Sequence, residues 1–214
     1  MRIGLFGDSF CAMVESKDPT YQTYIKKLIV EYNATITNTG IPGSSVGDIV
    51  MMQLPKSHFL PDVCIFVWTD SPRLFNREIR NINHASAECR TNTGQIWSAA
   101  SSYYKYLYDS QFTTLQFKAL LEYIDTHILT TFPKSTKIIH LWSYGEQDKT
   151  YIHNWKNGVE IRPALINVSD GNTAFPNHLA GELKNTLVFD WIKEAIDNYA
   201  SGTLLTKEIN YEQH

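Results

Sequence analysis

A serine stands where the first apolar segment of the chain ends, in the sequence Gly7-Asp8-Ser9. Ile3 and Leu5 predict a short buried strand that leads into this turn. A serine at the exit of a strand exposes its hydroxyl at the rim of a sheet and leaves its amide free to donate, which is what acyl transfer requires. Gly, Asp and Ser are also common turn formers, so the same sequence is typical of an ordinary strand-to-helix turn.

A serine nucleophile needs a general base within hydrogen-bond reach, most often a histidine. His178 stands immediately before the last amphipathic helix, where the start of a helix can hold an imidazole over the rim of the sheet. His127 and His140 fall within a predicted helix and a predicted strand, which is typical of packed or solvated structural histidines. His178 is therefore the candidate base, and the alternative is an exposed histidine beside a helix cap formed by Asn177.

The elements that must position these residues alternate between strand and helix. Beyond the first strand, the apolar pattern predicts four more, at residues 34–38, 63–68, 137–142 and 161–168. Helical periodicity separates them and is clearest in the last helix, after residue 182. Such alternation predicts an α/β fold, a three-layer αβα sandwich with a mostly parallel, five-stranded sheet.

In such folds the functional crevice lies beyond the carboxyl ends of the strands. Four segments that follow predicted strands should therefore meet at one rim: Ser9, the loop 40–43, the segment 69–73 and Ser143. We expect one domain over residues 1–200 and a loosely held tail over 201–214. A polar insertion at about residues 75–110 is too long for a plain connection, which favours a lid or an interface.

Composition excludes several functional classes. With 43% hydrophobic residues, 19% charged residues and a net charge of −3, the chain has no basic footprint for nucleic acid. No stretch is apolar enough for a membrane span, no signal peptide is visible, and no residue spacing indicates a metal or another cofactor. Cys11, two residues past Ser9, lacks an activating neighbour in the sequence and is interpreted as structural.

Three sequence blocks, taken in order, resemble those of the SGNH (GDSL-type) hydrolase superfamily, and compact bacterial and bacteriophage members in particular. They are Gly7-Asp8-Ser9-Phe10, Asn38-Thr39-Gly40-Ile41-Pro42-Gly43-Ser44 and Asn177-His178-Leu179. The resemblance spans most of the chain and implies a flavodoxin-like fold and ester hydrolysis. It implies that Ser9 attacks the acyl carbon, that His178 removes its proton, and that the amides of Ser9 and Gly43 face the oxyanion.

The chain departs from this family at the third block, which normally reads Gly-x-Asn-Asp and supplies an asparagine to the oxyanion. The corresponding strand end here carries Thr69 and Asp70, and an ionised Asp70 cannot donate a hydrogen bond. Our hypothesis is that the Thr69 hydroxyl takes this role. Arg73 either adds positive potential or holds an acidic substrate; the alternative is a surface arginine paired with Asp70.

The second departure concerns the acid that usually precedes the histidine by three residues, a position that Phe175 occupies here. Asp170 is the nearest upstream carboxylate and can complete a triad through the turn that follows it. The alternative is a backbone carbonyl that orients His178, which leaves a Ser-His dyad.

The sequence thus predicts a serine esterase that removes short acyl groups, with O-acetyl groups on a glycan as one expected substrate. Asp70, Arg73 and Trp142 are the predicted substrate contacts, and aromatic residues near the rim either stack on sugar rings or pack internally. The alternative is a catalytically weakened binding or assembly module, for example of a phage particle. A small-molecule or glycan ester is the expected partner, and the expected location is the cytoplasm or a virion.

Overall fold

The computed structural model describes residues 1–11, 23–56, 60–69, 73–78, 80–89, 94–144, 153–169, 179 and 181–207. Its main sheet has six strands in the order β2-β1-β3-β6-β7-β8, with every neighbouring pair parallel. These strands are β1 (Arg2–Gly7), β2 (Thr35–Asn38), β3 (Val63–Trp68), β6 (Lys137–Trp142), β7 (Val159–Arg162) and β8 (Thr203–Thr206).

Helices cover both faces of this sheet, and the strands β1, β3 and β6 are buried between them. On one face α1 (Tyr24–Tyr32) and α6 (Glu182–Asp197) pack against alternate strand residues such as Leu5 and Ile65. On the other face α5 (Ser110–Tyr123) packs against Phe66 and its neighbours. The three layers confirm the predicted α/β sandwich.

The helix after β2 changes its winding along its length. It begins as α2 (Val46–Asp48), continues as a π-helical turn over Ile49–Gln53 and ends as a 3-10 turn over Leu54–Lys56. The Ser45 side chain starts it by accepting a hydrogen bond from the Asp48 amide at 3.1 Å. The wider π-helical turn directs Gln53 back toward β1, which becomes important at the site.

The segment between β3 and α5 forms a small unit of its own. A two-stranded antiparallel hairpin, β4 (Leu74–Asn76) and β5 (Arg80–Ile82), precedes α3 (His84–Glu88) and α4 (Gln95–Ser102), and α4 continues into a π-helical turn over Tyr103–Leu107. A separate apolar cluster holds this unit together, formed around Ile82, Ala87, Ala100 and Tyr104. It corresponds to the insertion predicted at about residues 75–110.

The carboxyl-terminal half differs from the prediction in two places. The expected strand over residues 161–168 is shifted, since β7 ends at Arg162 and a 3-10 turn, Leu165–Asn167, follows it. A sixth strand, β8, pairs with β7 inside the segment expected to be a tail. β8 is a short edge strand with mostly exposed side chains. Its residues therefore show no alternation of apolar and polar side chains from which a strand could be predicted.

Within the described ranges no helix is both long enough and apolar enough to cross a membrane.

Candidate active site

The turn that carries Ser9 is closed by its own backbone and by Asp8. The Asp8 carboxylate accepts a hydrogen bond from the Phe10 amide at 3.1 Å, and the Asp8 carbonyl accepts one from the Cys11 amide at 3.0 Å. Ser9 is 9% exposed, and its side chain donates no hydrogen bond to any described residue. Among the described residues, only the turn itself holds the hydroxyl at the rim, and Asp8 stabilises that turn.

Glycine precedes this turn because β1 and β3 approach each other closely there. A Cβ at Gly7 would lie 2.7 Å from the Val67 carbonyl oxygen and 2.9 Å from the Cys11 sulfur. Val67 pairs with Gly7 across the sheet, so Ser9 and Thr69 leave their strands at the same level. The pairing thus fixes where Ser9 leaves the sheet.

Asn38, the last residue of β2, ties the following loop to the Ser9 turn. Its amide nitrogen donates to the Cys11 carbonyl at 2.6 Å, and its amide oxygen accepts from the Gly40 amide at 2.9 Å. A Cβ at Gly40 would lie 2.5 Å from the Cys11 Cβ, so only glycine allows this contact. The first two sequence blocks therefore form one packed unit.

Gln53 is a site residue that the sequence analysis missed. It is completely buried, and its Oε1 accepts from the Gly7 amide at 2.8 Å. Its Nε2 lies within hydrogen-bond distance of the Gly7 carbonyl at 3.0 Å, the Ser44 hydroxyl at 2.8 Å and the Asp48 carboxylate at 2.9 Å. The Gln53 side chain thus binds both the amide and the carbonyl of Gly7. It also links Gly7 to the second loop, the segment 39–45 that follows β2.

Two backbone amides at this rim are available to an oxyanion. Neither the Ser9 amide nor the Gly43 amide donates a hydrogen bond within the part of the chain that the structure describes. Gly43 has φ +80°, a left-handed conformation that a side chain would strain. Backbone amides of this kind, at the strand ends that carry a serine, are candidates for stabilising a tetrahedral intermediate.

Arg73 joins the segment after β3 to the Ser9 turn and to the second loop. Its Nη1 donates to the Ser44 carbonyl at 3.2 Å and lies 3.8 Å from the Asp8 carboxylate. Its guanidinium carbon lies 5.4 Å from the centre of the Tyr144 ring, and its side chain is only 11% exposed. The structure therefore places this cation inside the rim, next to the Ser9 turn, rather than on the open surface.

Two completely buried hydroxyls lie at the same end of the sheet. Thr69 follows β3 and Ser143 follows β6, and the Ser143 amide donates to the Trp68 carbonyl at 2.7 Å. The hydroxyls of Thr69 and Ser143 have no hydrogen-bond partner among the residues described. Buried polar groups are normally paired, so unpaired hydroxyls are informative at a site.

Trp142, a predicted substrate contact, lies in the core. It is 7% exposed, its indole donates to the Glu160 carboxylate at 3.1 Å, and its ring meets Phe117 edge to face. Trp68 and Trp155 are buried as well. These tryptophans pack internally, which was the alternative to stacking on a sugar. The predicted positions His178, Asp170 and Asp70 lie outside the described residues.

His140 is a packed histidine, as its place in a strand predicts. The indole of Trp68 donates to its Nδ1 at 3.0 Å, so its Nε2 carries the proton and donates to the Asn157 carbonyl at 2.8 Å. Its ring stacks on Trp155 with 3.9 Å between centroids. Burial lowers the pKa of His140 to about 3, so the imidazole is neutral and cannot serve as a base at neutral pH.

The structure does contain an Asp-His pair, but it lies at the amino ends of the strands, opposite the end at which Ser9 lies. The Asp125 carboxylate accepts from the amides of Lys156 and Asn157 at 2.8 and 3.0 Å, and His153 Nε2 lies 3.3 Å away. Burial alone raises the pKa of Asp125, but these hydrogen bonds hold it below its usual value. Lys156 and Asn157 precede β7 at the amino ends of the strands, so this pair is remote from Ser9.

Cys11 behaves as a structural residue, as its sequence context predicts. Burial, followed by the nearby charge of Asp8, raises its pKa well above the usual value, so the thiol stays protonated. Its sulfur lies 3.7 Å from the Phe6 carbonyl oxygen. Among the described residues no group of three or more His, Cys, Asp and Glu side chains could hold a metal ion.

Comparison with known proteins gives no sequence relative and three distant structural neighbours. No protein-family model and no curated protein matches the sequence. An active-site mutant of a family two carbohydrate esterase from Clostridium thermocellum overlaps with a TM-score of 0.46 at 13% identity, over 92% of this chain and 63% of that one. A second structure of such an esterase from the same organism, in complex with cellohexaose, gives 0.35 at 10% identity, over 96% of this chain and 53% of that one.

The third neighbour is the extracellular lipase from Streptomyces rimosus, with a TM-score of 0.31 at 12% identity, over 96% of this chain and 79% of that one. The chain thus spans less than two thirds of the length of both carbohydrate esterase chains.

Proposed function

We propose that this chain is a serine ester hydrolase in which Ser9 is the nucleophile and His178 is the general base. One observation carries the proposal: buried hydrogen bonds lock the Ser9 turn to the loop that holds Gly43. The clamp by Gln53 and the tether by Asn38 leave the Ser9 hydroxyl and the amides of Ser9 and Gly43 without partners in the described chain. Rigid, unpaired donors beside a hydroxyl favour acyl transfer.

In this mechanism the Ser9 oxygen attacks the acyl carbon while His178 takes the hydroxyl proton. The negative charge that develops on the carbonyl oxygen is held by the amides of Ser9 and Gly43 and by the Thr69 hydroxyl. His178 returns the proton to the departing alcohol, and water then releases the acid from Ser9. Asp170 or a backbone carbonyl orients the imidazole.

Arg73 has a positioning role in this proposal. Its contacts with Ser44 and Asp8 fix the second loop against the nucleophile turn, and its charge adds positive potential beside the developing oxyanion. Asp70 is adjacent to Thr69 in sequence and remains a proposed substrate contact. The proposed substrates are short acyl esters, among which acetylated glycans in the cytoplasm or a virion are the finer expectation.

Labelling with a fluorophosphonate, followed by peptide mapping, tests the nucleophile directly. We expect an adduct on Ser9, none on the Ser9→Ala variant, and full labelling of Ser98→Ala, which removes an exposed serine on α4. Release of acetate from an acetylated polysaccharide tests the finer expectation. A folded protein that neither reacts with the probe nor hydrolyses p-nitrophenyl acetate would overturn the proposal and favour the binding or assembly module.

A further inference from the structure

A cleft of about 210 Å³ opens between the insertion and α5. Its walls come from the start of α2, from β4, from the π-helical turn that follows α4 and from one side of α5. Three rings line it, those of Phe75, Tyr103 and Phe117, and Leu120 adds a further apolar wall. None of these residues takes part in the proposed chemistry.

The size and lining of the cleft fit one aromatic ring. An apolar cavity of about 150 Å³ holds benzene, so this cleft has room for a ring with a small substituent. Most of the lining is carbon, and Arg73, Thr113 and Gln116 supply polar groups. A sugar ring carries hydroxyls on most of its carbons and would leave several of them unpaired here, which costs binding free energy. The walls therefore favour an aryl group over a glycan.

Thr113 gives the cleft an unused hydrogen-bonding group. Threonines in helices commonly donate to the carbonyl four residues earlier, as Thr114 does to Ser110 at 2.7 Å. The Thr113 hydroxyl is buried and has no such partner within the described chain. Thr113 lines the cleft, so a rotation of its side chain would bring the hydroxyl to a polar substituent on a bound ring.

Arg73 connects the cleft with the Ser9 turn. This residue lines the cleft, and its guanidinium lies 3.8 Å from the carboxylate of Asp8, the residue before Ser9. Gly47 keeps the opposite wall close, because a Cβ there would lie 2.9 Å from the Phe75 Cβ. A ring seated in the cleft would lie next to the side chain of Arg73, and cations attract aromatic faces.

From these contacts we propose that the cleft binds a single aryl group of the ester on which Ser9 acts, an inference that rests on the proposed function. The ring belongs either to the alcohol or to the acid of the ester, and its chemistry is the same in both cases. This inference keeps the ester hydrolase but replaces the acetylated glycan considered above with an ester that carries an aryl group.

Selectivity measurements separate the two positions of the ring. After each kcat/KM is divided by the rate constant of that ester's alkaline hydrolysis, we expect phenyl acetate to be favoured over methyl acetate if the ring is on the alcohol. If the ring is on the acid, methyl benzoate should be favoured over methyl acetate by the same measure. Leu120→Trp fills the cleft and should lower the relevant preference at least tenfold. Leu115→Trp places the same side chain on an exposed face of α5 and serves as the matched control. No preference for either aryl ester would overturn the proposal.

A binding experiment keeps this inference distinct from the chemistry at Ser9. Saturation-transfer NMR with benzyl alcohol on folded Ser9→Ala protein should show saturable binding, which Leu120→Trp abolishes. Thr113→Val preserves size but removes the hydroxyl, so it should weaken benzyl alcohol about three- to tenfold and leave toluene unaffected. Binding without hydrolysis by the unmodified chain would retain the cleft and refute the hydrolase; no binding of either ring compound would refute the cleft.

Discussion

Two polar clusters lie at opposite ends of the strands of the same sheet, and they differ in how their hydrogen-bonding groups are paired. The first, the Ser9 rim, comprises Ser9, Gly43, Gln53, Thr69 and Arg73 at the carboxyl ends of the strands. Two amides and one buried hydroxyl there have no partner within the described chain. Gln53 and Arg73, by contrast, bond to the loops around them.

The second cluster, the Asp125 anchor, comprises Asp125, His140, His153, Lys156 and Asn157. The Asp125 carboxylate accepts hydrogen bonds from the backbone amides of Lys156 and Asn157 and from the Asn157 side chain. Both ring nitrogens of His140 are also paired. The hydrogen bonds of the cluster fasten the segment before β7 to the end of α5. Every polar group just named is used in holding the fold.

The difference shows how a structural cluster can be distinguished from a reactive one. Leaving a buried donor unpaired costs roughly 1–3 kcal/mol, so a fold tolerates it only where something else compensates. The Asp125 anchor contains an acid and an imidazole, the two groups that a search for a catalytic triad looks for. The hydrogen bonds of Asp125, however, all go to neighbouring residues of the anchor itself. At the Ser9 rim several donors have no partner among the described residues, and this is why we propose that ester hydrolysis takes place there.

The largest expected effect is on catalysis at the rim. Ser9→Ala should lower kcat/KM for phenyl acetate at least about a thousandfold, because the attacking oxygen is removed. The free energy of unfolding should change by less than about 1 kcal/mol, since the Ser9 side chain makes no hydrogen bond in the described structure. Steady-state kinetics and urea denaturation measure both, and full activity in this variant would refute the assignment.

The anchor should respond in the opposite way. Asp125→Ala should lower the free energy of unfolding by about 3 kcal/mol, because it leaves the amides of Lys156 and Asn157 unpaired. Activity per folded molecule should stay within about twofold of the unmodified chain. Exposed Asp109 provides a control, because Asp109→Ala removes only a helix cap and should cost about 1 kcal/mol. Equal stability of Asp125→Ala and the unmodified chain would break the comparison.

Thr69 tests whether an unpaired rim hydroxyl contributes to the reaction. Thr69→Val keeps the shape but removes the donor, and we expect kcat to fall by about a hundredfold. Thr69→Ser retains a hydroxyl and should keep most of the activity. Indistinguishable kcat values for the valine variant and the unmodified chain would remove Thr69 from the oxyanion site.

The smallest effect is a pH dependence of stability caused by His140. Its folded pKa, about 3, is below the ordinary value, so below about pH 6.5 the unfolded chain binds a proton that the folded chain does not. Stability should therefore fall from pH 6.5 toward pH 4.5 by about 2 kcal/mol. Urea denaturation at several pH values should show this slope, and His140→Phe should flatten it. An unchanged slope in that variant would place the titration elsewhere.

The sequence predicts the layers of the fold because the evidence for them is local. The continuous apolar run of β3 and the periodic face of α6 identify a buried parallel strand and a covering helix without knowledge of their neighbours. β8 has no such pattern, because only backbone pairing with β7 defines it. Its existence could not be inferred from its own residues.

The candidate site divides in the same way. Ser9 and Gly43 could be placed at the rim because they follow strands in recognisable turns. Gln53 could not, since its role arises from the winding of a helix and from groups 46 positions away in the chain. Arg73 was recognised as a candidate, but its pairing with Asp8 depends on how three separate segments meet.

The π-helical turn over Ile49–Gln53 makes its segment tolerant of one change in length and sensitive to the other. Such a turn contains one residue more than an α-helical turn, in which each residue advances the helix by about 100°. Deletion of one residue between positions 49 and 52 would therefore give an α-helical turn that still directs the glutamine toward the end of β1. Insertion of one residue into the same stretch would rotate the glutamine by about 100° and uncouple the two loops.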